Sequence, residues 1–245
     1  MQTHDRGDRL RPGTSLAEVR QPTITELAEA QPERAAPVQS AMIVSGVTNE
    51  ADPGSLRLPS PRMVRPLLLL DLDETLIHSS TKELTGLKVV ARVGDLNFYA
   101  RPHLETFLKT VEPLYQLGVW TAASADYASI VVSAIFSTPA NLALVWSRER
   151  CCSSYDPETG DLRYLKDLKK VKRQGYDLAQ TLFIDDIPGN LRKNYGNHIR
   201  IPPFTGAADD RALINLAAAL SDDTIFSHRD FRRVDKRGWS YRAPS

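Results

Sequence analysis

The chain has 245 residues, 42% of them hydrophobic and 25% charged, and its 31 basic residues against 30 acidic ones leave a net charge of +1. That is enough to bury one sizeable core and too little for more than two ordinary domains; the balanced charge excludes a nucleic-acid coat and a solvating acidic tail. The only two cysteines are adjacent, Cys151 and Cys152, which excludes a disulfide scaffold and a multi-thiolate zinc site.

Residues 1–60 hold none of the eighteen aromatics and carry six prolines, six arginines, no lysine and eight acids. Such a segment buries too little apolar area to offset the entropy of ordering. It is expected to be a disordered extension, with one folded domain over 61–245. No apolar run approaches the roughly 20 residues of a membrane helix, and no apolar signal core is present. A soluble intracellular protein is expected, cytoplasmic, or nuclear in a eukaryote.

From Pro66 the pattern changes. Leu67 to Leu70 is an all-apolar run ending in a polar turn, as in a strand buried on both faces of a parallel sheet. Residues 79–100 read as an insertion with short strands at Lys88–Val93 and Leu96–Tyr99 around a Gly94-Asp95 turn. Pro102 to Val111 places Leu104, Phe107, Leu108 and Val111 at helical spacing. Leu117–Trp120 is a second buried strand. Ser124 caps a helix running to Phe136, and Leu142–Trp146 is a further strand. Residues 147–164 form a second insertion around the turn Asp156–Asp161. Thr181–Ile184 and His198–Ile201 are strands, and Asp209–Leu220 is a helix. After Ile225 six basic residues face two acids, the composition of a solvated helix or arm, or of a basic patch for a partner. The alternation of strands and helices predicts an α/β fold with a doubly wound parallel sheet and small β insertions near one edge.

Asp71-Leu-Asp-Glu-Thr75 comes directly after the first strand. Ligands in open α/β sheets sit beyond the carboxyl ends of the strands. Asp71 and Asp73, two residues apart, would repel there unless a cation or a shared proton intervened. Hard oxygen donors at this density suit Mg²⁺. One carboxylate can attack phosphorus while the other handles a proton. D-x-D-x-T alone is most often a turn with two solvated acids; convergence decides against that here. Thr121 comes after the second strand, Asp185-Asp186 after the Thr181 strand, and Lys166 lies between them in sequence. Acids, a hydroxyl and a cation on one sheet edge fit phosphoryl transfer.

Asp71-Leu-Asp-Glu-Thr-Leu-Ile-His-Ser-Ser80 resembles the signature of the FCP/SCP-like phosphatases, the small CTD-phosphatase (NLI-interacting-factor-like) branch of the haloacid dehalogenase superfamily. Arg101-Pro-His-Leu-Glu-Thr-Phe-Leu108, Thr121-Ala-Ala-Ser124 with Tyr127-Ala128, Arg148-Glu-Arg-Cys151, Tyr164-Leu-Lys-Asp-Leu168 and Ile184-Asp-Asp-Ile-Pro188 are similar to further family motifs, in order, with one residue of difference in the Thr121 turn. The likeness spans residues 65–225. It implies Mg²⁺ as cofactor and an aspartyl-phosphate intermediate. It assigns Asp71 as nucleophile and metal ligand, and Asp73 as general acid and base with its main-chain carbonyl on the metal. It assigns Thr121 to a phosphoryl oxygen, Lys166 to charge neutralisation, and the Asp185-Asp186 pair to the metal, leaving open which of the two ligates directly. On the substrate side it puts Thr75, orienting the loop, and Arg148. His78 is expected to pack the loop, and Cys151 and Cys152 to be plain thiols. The implied partner is phosphoserine or phosphothreonine in a protein or peptide, gripped by the insertions, with Phe98, Tyr99 and Tyr155 as candidate contacts. No nucleic acid or membrane partner is expected. A small-molecule phosphatase and a non-catalytic peptide-binding relative are the alternatives.

Overall fold

The computed structural model describes residues 65–155 and 162–241. The expected extension over 1–60 and the Asp156–Asp161 turn lie outside these residues. In chain order the strands are β1 (Leu67–Leu70), β2 (Ile77–Ser80), β3 (Val89–Val93), β4 (Leu96–Ala100), β5 (Gln116–Trp120), β6 (Val145–Trp146), β7 (Cys152–Tyr155), β8 (Leu162–Leu165), β9 (Thr181–Asp185) and β10 (His198–Arg200). The helices are α1 (Leu104–Val111), α2 (Ala125–Ile135), α3 (Lys169–Lys172), α4 (Ala212–Leu220) and α5 (Asp223–Phe226).

The central sheet is parallel, in the order β10-β9-β1-β5-β6. β1 sits in its middle and is buried throughout. Its leucines alternate between two cores. Leu68 and Leu70 join a large core with α1, α2 and α4, while Leu67 and Leu69 pack with Trp120, Trp146, Phe183 and Leu191. Successive side chains point to opposite faces of a strand, so a strand covered on both faces has no place for a polar residue. α1 buries Leu104, Phe107, Leu108 and Val111, as their spacing predicts. α2 is capped by Ser124, whose side chain accepts from the Tyr127 N–H.

Four expectations need correction. The first insertion has three strands, not two: an antiparallel sheet in the order β2-β4-β3, with β2 beginning at Ile77 inside the Asp71–Ser80 motif. The strand expected over Leu142–Trp146 is regular only at Val145 and Trp146. Ala143 and Leu144 still bond to Leu117 and Val119, but the chain enters from a 3₁₀ turn at Pro139–Asn141 and straightens late. α4 starts at Ala212, not Asp209, because Asp210 lies ahead of it, accepts from the Ala212 N–H and takes a buried arginine. The C-terminal arm is not a solvated helix. Phe231 and Trp239 enter the large core, and Arg232 and Arg237 pair with the nearby Asp230 and Asp235.

Candidate active site

The register places Leu70 beside Val119 and Ile184. The residues just beyond these therefore gather at one edge: Asp71 after β1, Thr121 after β5, and Asp185 at the end of β9. Lys166, next after β8, is fully buried among them. Its ammonium bonds Asp71 Oδ2 at 2.8 Å and Asp185 Oδ2 at 2.7 Å. Burial works to lower the Lys166 ammonium, but Asp185 and Asp71 outweigh it and raise it, so it stays charged. The Phe183 ring centroid lies 5.1 Å from the same nitrogen, adding a cation–π contact.

Asp71 is almost wholly buried. Burial pushes its carboxyl well up, against the pull of Lys166, and Asp185 adds to the rise. Asp185 Oδ1 accepts from the Ile187 N–H at 2.8 Å and from the Asn190 side chain at 3.1 Å. Asp186 is pushed up to about 6, first by burial and then by the neighbouring Asp185 charge. Among the described residues, Asp71, Asp185 and Asp186 each bring a carboxylate oxygen within 4.8 Å of the others. Three hard oxygen donors, costly to ionise together, fit a divalent cation of the Mg²⁺ type.

Asp73 faces elsewhere. Its Oδ1 accepts from the Tyr127 hydroxyl and its Oδ2 from Thr121 Oγ1 at 3.5 Å. Burial raises its carboxyl and the Tyr127 hydrogen bond opposes the rise. Of the four expected metal residues, three therefore converge by their side chains. The Asp73 side chain is not among them. Thr75 is fully buried, and its hydroxyl points to Asp186 Oδ1 at 3.4 Å, the place of a loop support.

The loop itself is held by groups to which sequence reasoning gave no role. Glu74 has φ 54°, a left-handed conformation that a non-glycine residue keeps only when its surroundings impose it. The Phe204 N–H donates to its carbonyl at 2.7 Å. Arg101 Nη1 donates to the Thr75 carbonyl at 3.1 Å, while Nε and Nη2 form a bidentate pair with Asp210 at 2.9 and 2.8 Å. Arg101 is 1% exposed. Breaking a buried pair strands a charge, at about 3–5 kcal/mol. Arg101→Leu is expected to lower unfolding stability by that amount in a denaturant titration. Asp210→Asn, which leaves the fully buried Arg101 charge without its counter-ion, is expected to cost a similar amount.

The "NLI interacting factor-like phosphatase" family matches residues 66–232. The chain belongs to this family. It is 33% identical over 187 residues to CTD nuclear envelope phosphatase 1B of Danio rerio, across 71% of this chain and 72% of that one. It is 32% identical, over the same shares, to the CTD nuclear envelope phosphatase 1 homolog of Caenorhabditis elegans. A probable C-terminal domain small phosphatase of Dictyostelium discoideum is 29% identical across 63% of this chain and 49% of that one. The chain is thus a phosphoric monoester hydrolase by family, with the α/β parallel-sheet fold expected of it. Among the described residues no helix is long and apolar enough to cross a membrane.

The remaining expected residues of this phosphatase divide between the phosphoryl site, the loop and the core. Arg148 Nε donates to the Ala122 carbonyl at 2.7 Å, beside Thr121, and its guanidinium lies over the Tyr164 ring. His78 Nδ1 meets the Glu74 carboxylate at 2.9 Å, and its ring stands edge-on to Phe204, which fits loop packing. Cys151 and Cys152 are free thiols, and burial raises Cys151. Phe98 and Tyr99 are buried and cannot meet a substrate. They lie on opposite faces of β4, and each face is covered: Phe98 packs on Tyr127, and the Tyr99 hydroxyl accepts from the Leu84 N–H and donates to the Lys82 carbonyl. Tyr155 is 73% exposed.

Proposed function

We propose that this phosphatase uses Mg²⁺ and an aspartyl-phosphate intermediate to hydrolyse phosphoserine or phosphothreonine in proteins. The observation that carries the reading is the division of labour among the acids. Asp71 lies with Lys166, Asp185 and Asp186, while Asp73 is turned apart and held by Tyr127 and Thr121.

Asp71 and Asp186 would hold the cation directly, with the main-chain carbonyl of Asp73, and Asp185 would support the site from beside them. Asp186 is assigned as the direct ligand of the pair, because Asp185 is engaged by Lys166, Ile187 and Asn190. When bound, the cation supplies charge neutralisation for the nucleophile and the phosphoryl oxygens. A carboxylate oxygen of Asp71 attacks phosphorus. The P–O bond to the substrate breaks as Asp73 protonates the leaving oxygen. Asp73, now a carboxylate, takes a proton from water, and that water attacks the aspartyl phosphate and releases inorganic phosphate with Asp71 restored. Lys166 keeps Asp71 oriented and compensates its charge, and Thr121 offers its hydroxyl to a phosphoryl oxygen. Arg148, half-buried beside Thr121, binds the substrate near its phosphate.

The names of the relatives, which are CTD phosphatases, support a phosphorylated protein segment as the substrate and partner. The small β insertions support it too, since they are not a large cap domain. The domain over residues 61–245 would carry the activity, inside the cell. Deleting residues 1–60 is expected to leave kcat on a generic phosphate ester within about twofold; a loss of soluble protein or of several degrees in Tm would contradict this. The function itself is tested with p-nitrophenyl phosphate and a phosphoserine peptide. Both are expected to be hydrolysed with Mg²⁺ and neither after EDTA. Full activity in EDTA would overturn the metal assignment, and failure on the peptide alone would overturn the protein substrate.

A further inference from the structure

We infer that the β7–β8 hairpin is a recognition strip for a bulky apolar side chain that flanks the phosphorylated residue of a peptide substrate, an inference that rests on the protein-phosphatase reading above. Paired residues of an antiparallel ladder share a face, and faces alternate along each strand. The ladder pairs Ser153 with Tyr164 and Tyr155 with Leu162. These four side chains therefore share one face. The other face carries Leu165, which is buried, and Ser154, whose hydroxyl accepts from Arg192. That second face is the one applied to the domain.

The first face leads into the phosphoryl site. The Arg148 guanidinium carbon lies 5.1 Å from the Tyr164 ring centroid, and Arg148 Nε is bonded to the carbonyl of Ala122, the residue after Thr121. Two residues further out along β7 and β8, about 7 Å away, stand Tyr155 and Leu162, 73% and 45% exposed. Among the described residues they are the one ladder pair in which two large apolar side chains are both exposed. A cross-strand aromatic–aliphatic pair gives an extended chain a surface on which to lay one apolar side chain. Its continuity with Arg148 and Thr121 makes the occupant the flank of the substrate whose phosphate lies at Asp71. An extended peptide advances about 3.3 Å per residue, which puts the recognised residue on the order of four to six positions from the phosphoserine.

The test uses the full chain with Mg²⁺ and phosphoserine peptides of small polar residues, in which a single leucine is walked through the flanking positions on both sides. The readout is kcat/KM for leucine over alanine at each position, taken within one protein preparation so that the amount of folded enzyme cancels. The wild-type chain is expected to prefer leucine by about tenfold at one or two positions four to six residues away, through KM, the size expected for partly burying one such side chain. Tyr155→Ser with Leu162→Ser is expected to bring that ratio close to one, and either single change to lower it. Ile130→Ser, an exposed apolar position on α2, is expected to keep it. No leucine preference in the wild-type chain, or a preference that survives the double change, overturns the strip and leaves the phosphatase reading standing. A wild-type chain that cleaves p-nitrophenyl phosphate but no phosphopeptide overturns the protein-substrate reading and the strip together.

Discussion

Asp71→Asn is expected to lower kcat by at least about 10⁴-fold on every phosphate ester, good or poor leaving group alike. Asparagine has nearly the shape of aspartate but cannot open the attack on phosphorus. It also withdraws one of the three carboxylates that converge within 4.8 Å. The fold should survive. Burial makes the charged Asp71 carboxyl costly, so a neutral side chain relieves the metal-free protein, and Lys166 keeps its bond to Asp185. Tm is therefore expected to stay within a few degrees of wild type while turnover disappears. A parallel loss of Tm and activity would assign Asp71 a structural role instead.

The second large effect falls on Asp73 and has a different shape. Asp73→Asn leaves the nucleophile, the lysine and the converging acids in place. It removes only proton transfer, worth roughly 10²–10⁴-fold. The loss should be largest for a phosphoserine peptide, whose alkoxide must be protonated as it departs, and smallest for p-nitrophenyl phosphate. A plot of log kcat/KM against leaving-group pKa should steepen in the variant. Equal losses across the series would mean that Asp73 is not the acid. Tyr127, which donates to Asp73, is expected to orient it for this transfer.

Much of this site was legible in the chain because parallel strands deliver the residues at their carboxyl ends to one edge. Three short apolar runs, each ending in an acid or a hydroxyl, were enough to bring Asp71, Thr121 and Asp185 together, and the motif order added Lys166. Local signals also gave β1 and α1 closely, since an all-apolar strand and a helical stripe are written in neighbouring residues. The hidden features were set by distant partners. Arg101 bonds Asp210, 109 positions away, and nothing in either neighbourhood marks the pair. Tyr127 lies in a quoted motif, but its bond to Asp73 depends on how α2 leaves β5. Phe98 and Tyr99 read as substrate contacts because they lie in an insertion near the site. Phe98 is covered by Tyr127 and Tyr99 by the Lys82–Leu84 segment, partners that the local sequence does not mark. The sequence signals for the C-terminal arm were its charges, while its placement is decided by Phe231 and Trp239 entering the core.

The measurement that meets the central claim most directly is acid-quench trapping on Asp73→Asn with Mg²⁺ and an activated, labelled phosphate ester. Loss of the base slows the attack of water more than formation of the intermediate from a good leaving group, so labelled enzyme should accumulate. The label should be acid-stable, sensitive to hydroxylamine, and located by mass spectrometry on the peptide carrying Asp71. Adding Asp71→Asn to the same chain should abolish it. Turnover without any trapped label, or label that remains in the double variant, would contradict an aspartyl phosphate on Asp71.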